Sequence, residues 1–181
     1  MKTFIAFIYF ILCAIYISAQ TSYYTQTKTF TENDYTYQCD VRKSGIVTLY
    51  KKGDKWVHTN TLTYRDTGEN YIMDDDTPDV IEPVDNNFIN TCKSIINNAF
   101  SSEEKQRVKG AKFIFSMYIN PTTGKIDEVA FEFYNIGSYA TIPVSVYRHM
   151  EVNMKQKLSF KPTAEGKKLN YILYWMEVAP Q

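Results

Sequence analysis

His58 and His149 are the only two histidines in this chain of 181 residues. As bases or metal ligands each would need partners that their neighbours do not supply. Glu128 and Glu132 sit two strand periods apart, and such alternation is what the solvent face of an antiparallel strand presents. The run Asp74-Asp75-Asp76-Thr77-Pro78-Asp79 concentrates negative charge that a bound Ca²⁺ would relieve. It lacks the alternating ligands and central glycine of an EF-hand, so it reads as a solvated acidic loop. No nucleophile elbow, phosphate-binding loop or dinucleotide fingerprint occurs. The expectation is a protein that is not an enzyme and holds neither a metal nor a cofactor.

The N-terminal segment points to the compartment, and the compartment to the state of the cysteines. Lys2 precedes an apolar run from Phe4 to Ile17, and Ser18-Ala19-Gln20 ends it with small residues, the pattern of an export signal cleaved after Ala19. The run is shorter than the roughly 20 residues that span a bilayer, so no stable membrane span is expected after processing. Cys13 lacks the small residues of a lipobox before it and leaves with this segment. Cys39 and Cys92 then remain, and an oxidising destination, periplasmic, outer-membrane-associated or extracellular, predicts a disulfide between them. Twenty basic and twenty acidic residues balance, which gives no attraction for nucleic acid or an anionic membrane.

The elements follow from periodicity. Lys112 to Asn120 alternates Phe113, Phe115, Met117 and Ile119 against polar neighbours, a strand with one buried face. Pro121-Thr122-Thr123-Gly124 turns the chain into a returning strand, Ile126 to Phe133. Pro143 opens a helix whose face is Val144, Tyr147, Met150, Met154 and Leu158. Pro162 lies beyond its end, and Leu169 to Val178 is a third strand. A crossover through a helix leaves room for one strand, so the predicted order of this β-β-α-β unit is 2-1-3 with the last strand at an edge.

Upstream, Asp85 caps a helix to about Phe100 with Phe88, Ile89, Cys92, Ile95, Ile96 and Ala99 on one side. Ser101 to Glu104 offers a capping box for a short polar helix. Ile46 to Tyr50 and Lys55 to His58 read as a hairpin across Lys51 to Asp54, Tyr35 to Asp40 as a short strand, and Gln20 to Thr31 as an unstructured leader. The fold class is α+β, an antiparallel sheet packed by two helices. Residues 20–82 form a β-rich N-terminal part and 83–181 the α+β unit, together one compact body.

Tyr118-Ile-Asn-Pro-Thr-Thr-Gly-Lys-Ile-Asp-Glu-Val129, a helix, then Leu158-Ser-Phe-Lys-Pro-Thr163 and Gly166-Lys167, resembles the C-terminal domain of TonB-type energy transducers. The resemblance covers roughly the last 70 residues. Such transducers have a long Pro-rich spacer, whereas this chain has six prolines and no spacer, so the fold is implied and the energy coupling is not. The resemblance implies that the last strand, through Leu169, Tyr171, Leu173 and Trp175, pairs with an extended protein or peptide, or exchanges with a second copy in a homodimer. The alternative expectation is a surface carbohydrate-binding protein that stacks sugars on Tyr23, Tyr24, Tyr35, Tyr37 and Trp56.

Overall fold

The computed structural model describes residues 21–32, 34–59, 61–73 and 77–181. The expected export segment, 1–19, and Asp74, Asp75 and Asp76 of the acidic run lie outside these residues. The strands are β1 (Lys28–Glu32), β2 (Tyr35–Val41), β3 (Ile46–Lys51), β4 (Ile81–Pro83), β5 (Phe113–Ile119), β6 (Ile126–Tyr134), β7 (Phe160–Pro162) and β8 (Ile172–Val178). The helices are α1 (Phe88–Ala99), α2 (Ser102–Val108) and α3 (Val144–Lys157). Six strands form one sheet in the order β1-β2-β3-β6-β5-β8, and β4 pairs with β7 separately. The fold is α+β, as expected.

The C-terminal unit follows its periodicity. β6 and β8 both run antiparallel to β5 on either side of it, which is the expected order 2-1-3. Phe113, Phe115, Met117 and Ile119 are buried against the helix layer, together with Val129, Phe131 and Phe133 of β6. On α3 the whole expected face, Val144, Tyr147, Met150 and Met154 with Leu158 just beyond, is buried. Ser101 and Glu104 complete a reciprocal capping box at α2. Asp85 lies before the α1 N-cap, Asn87, where its carboxylate accepts from the Asn87 amide at 2.7 Å and the Thr91 hydroxyl at 2.6 Å.

The N-terminal half differs from its expectation in three places. β3 pairs not with Lys55–His58 but with β2 on one side and β6 on the other. The Gly45 turn closes the β2–β3 hairpin, with the Arg42 amide donating to the Ile46 carbonyl at 2.8 Å. Trp56–His58 is a 3-10 turn instead, because the buried Glu128 carboxylate accepts from the amides of Lys55 and Trp56, each at 2.8 Å, and draws them over the sheet. The supposed leader contains β1, and Tyr24 is fully buried, donating to the Ile142 carbonyl at 2.9 Å and packing on Phe30, Phe133 and Tyr147. Because β3 and β6 are neighbours, the sheet runs continuously through both halves of the chain.

Cys39 and Cys92 are free, buried thiols, not the expected disulfide. Cys39 is on β2, whereas Cys92 lies near Tyr174 on β8 and contributes to raising that tyrosine's pKa. β2 and β8 are four strand spacings apart, about 19 Å. A disulfide needs Cα atoms within about 7 Å. Burial pushes the thiols up to about 11 for Cys39 and about 12 for Cys92, which keeps both protonated and unreactive.

Candidate functional site

β8 is the last strand of the large sheet, and among the described residues its only strand partner is β5. Alternate backbone N–H and C=O groups on its outer side therefore face away from the sheet. Tyr174 points to the helix layer, meeting Phe88 edge-on with ring centroids 5.3 Å apart and Phe160 at 5.7 Å. Beside the strand, Pro83, Phe88, Ile89 and Tyr174 line an open hollow of about 460 Å³ whose polar rim includes Asn87 and Asn90. Ile89 is 44% exposed and Val84, next to Pro83, 61%. The hollow exists because α1 begins here, and Asp85 fixes that first turn. Its hydrogen bonds from Thr91 and Asn87 hold the Asp85 carboxyl below its usual pKa.

The four residues assigned to this edge divide. Trp175 is 61% exposed and Leu173 is half-buried, both on β8. Tyr171 and Leu169 are not in the strand, which begins at Ile172, and both are buried. Leu169 bridges to Tyr64, and the Asn170 amide donates to the Thr63 carbonyl at 2.9 Å, so the 62–71 loop already occupies this stretch of edge. Tyr171 donates to the Thr59 carbonyl at 2.9 Å and packs on Trp56 and Tyr118. Of the aromatics assigned to sugar stacking, Tyr24 and Tyr37 are fully buried, Tyr23 and Tyr35 pack against the core, and Trp56 covers Tyr171.

The helix-free face of the sheet, expected from its polar alternation to be a plain solvent face, holds a second feature. The loop through Val57, His58 and Leu62 folds over Tyr50, Tyr118, Ala130 and Tyr171, leaving a cleft of about 550 Å³. Asp40, Arg42, Thr48 and Glu132 form its polar wall. The signal available was the polar alternation of β2, β3 and β6, but alternation does not say whether water or a loop lies above it.

Where that loop leaves β3, Asp54 is pressed beneath the surface, and one carboxylate oxygen has no hydrogen-bond partner among the described residues. Burial, then the neighbouring Glu128, pushes its pKa up to about 6. A carboxyl whose folded pKa is raised stabilises the fold below its unfolded value, near 4, and that contribution is lost as pH rises through about 6. Asp54→Asn is therefore expected to gain about 1 kcal/mol over the wild type at neutral pH, after discounting for solvent screening. The gain should vanish near pH 4. Urea unfolding at both pH values checks this, and an equal effect at both would remove Asp54 as the cause.

A family model described as a domain of unknown function (DUF5043) matches residues 20–175. A crystal structure at 1.85 Å resolution of a DUF5043 family protein from Bacteroides uniformis ATCC 8492 is 38% identical, has a TM-score of 0.82, and the match covers 89% of each chain. No curated protein matches this one. Neither match bears on the resemblance of residues 118–167 to transducer domains. Among the described residues, no three His, Cys, Asp or Glu side chains are grouped to hold a metal, and no helix is long and apolar enough to cross a membrane.

Proposed function

From the premise that the chain belongs to the DUF5043 family, we propose that it is an exported, non-enzymatic module that binds an extended segment of a partner protein along β8. One observation carries the proposal: the open outer edge of β8 runs beside the hollow formed by Phe88, Ile89 and Tyr174. Main-chain groups would supply affinity for any extended chain, and the hollow would select an apolar side chain. The apolar run before Ala19 supports export, and the family match begins at the next residue.

Peptides selected from a random display library by residues 20–181 test this, with amide hydrogen exchange as the readout. Bound peptides should protect alternate amides between Ile172 and Val178. Ile89→Asp, a change at a partly exposed position, should weaken them about tenfold by putting a charge where an apolar side chain docks. Failure to select any peptide, or protection elsewhere, would remove β8 as the site.

A further inference from the structure

We propose that the cleft on the helix-free face is a binding site for a short neutral oligosaccharide. The strand register builds it. Asp40, Thr48 and Glu132 are paired in one row across β2, β3 and β6. In the next row Tyr50 pairs with Ala130, Ala130 with Ser116, and Ser116 with Trp175 of β8. Two small residues in the middle of that row lower the floor between two aromatics. From Tyr50 to Trp175 it crosses three strand spacings, about 14 Å, which suits several linked rings better than one.

The wall is organised before any ligand arrives. Glu132 accepts from Arg42 at 3.0 Å and from Thr48 at 3.1 Å through the same carboxylate oxygen, leaving its other oxygen without a hydrogen-bond partner among the described residues. Asp40 accepts from Gln38 at 2.8 Å and Tyr50 at 2.7 Å. The hydroxyls of Ser116 and Tyr118, on the floor, make no hydrogen bond among the described residues, although Tyr118 is only 8% exposed.

Fixed carboxylates accept and the guanidinium beside them donates, which matches vicinal hydroxyls, since each of these does both. Trp175 is exposed on the same face, and an aromatic ring can cover the C–H face of a sugar. Two carboxylates against one arginine disfavour phosphate and uronic acids. The cleft volume lies within the roughly 300–1,000 Å³ of small-molecule sites. This site shares only Trp56 at its margin with the aromatics that sequence alone suggested.

The only two tryptophans, Trp56 and Trp175, flank the cleft, so intrinsic fluorescence reports on it, with calorimetry as a second readout. Residues 20–181 would be titrated to about 10 mM, tenfold above a weak millimolar site. The probes are cellotriose, maltotriose, xylotriose, mannotriose and N-acetylchitotriose, with trigalacturonate and the glucosamine trimer as charged arms. At least one neutral trisaccharide should saturate, and Asp40→Asn should weaken it about tenfold through the loss of charge-assisted hydrogen bonds. Ser116→Phe, which fills the floor, should abolish binding while leaving the β8 peptides bound. Binding by none of the neutral probes, by the charged probes alone, or unchanged in Asp40→Asn would overturn the assignment. Because peptide binding is read separately at β8, either reading can fail without the other.

Discussion

Gly124→Ala is expected to destabilise the protein by about 4 kcal/mol, at the exceptional end for one methyl group. Gly124 has φ +69°, where a side chain costs about 1–2 kcal/mol. The larger part is steric. A Cβ there would lie 1.8 Å from the Phe160 carbonyl oxygen and 2.8 Å from its carbon, and both are backbone atoms that cannot rotate away. To make room, the α3–β7 junction must retreat, and the hydrogen bond from the Phe160 amide to the Gly124 carbonyl, 2.9 Å long, goes with it. Gly53 supplies the control: its φ is +100° but a Cβ would meet nothing within 4 Å. Gly53→Ala should therefore cost only the backbone term, about 1–2 kcal/mol. Equal losses for the two variants in urea unfolding would show that the contact with Phe160 is not the cause.

Glu151→Ala should cost about 3 kcal/mol. Glu151 is fully buried on α3, where it accepts from Lys155 at 2.7 Å, Arg148 at 3.2 Å and the hydroxyl of buried Tyr37. It ties β2 to α3. Lys155 and Arg148 keep 26% and 30% of their side-chain surface and can turn to water, so most of the loss is the stranded Tyr37 hydroxyl and the cavity. Glu151→Gln retains an acceptor for Tyr37 and should lose about 1 kcal/mol. Burial raises the Glu151 pKa more than Lys155 lowers it. The stability held by the protonated carboxyl is thus complete below the ordinary glutamate range and declines as pH rises through the raised value. The gap between wild type and Glu151→Gln should accordingly narrow with rising pH across that window. A gap independent of pH would mean the carboxyl is not titrating in the fold.

How far the sequence could be read depended on what each residue's partner was. β5, β6 and α3 announce themselves, because Phe113 to Ile119 and Val144 to Leu158 carry their burial in their own spacing. The same holds for the Ser101 capping box, which is closed within four residues. β1 did not announce itself: Tyr24 is core only because Ile142 and Tyr147 come from 118 and 123 positions away to receive it. Nor does a strand mark which neighbour its two edges will choose, so the β3–β6 pairing was invisible and a local hairpin with Lys55–His58 took its place. Glu128 departs from its expected solvent position for a related reason. Its partners are two loop amides, and amides leave no trace in a residue pattern. The cysteine pair failed on distance, which spacing along the chain does not encode.

The pairing of β3 with β6 also sets when the protein can fold. Val47 meets Phe133 across the sheet, and β8, which pairs with β5, lies beyond α3 in the chain, so the large sheet closes through loops of many tens of residues. Such non-local topology slows folding into the millisecond-to-second range, because loop entropy is lost before the contacts that compensate it are made. Until residues 126–134 have been synthesised, β3 has an open edge and the β1–β3 segment lacks the surface that buries Tyr24. The β1–β3 segment therefore gains its full burial only when the rest of the sheet emerges.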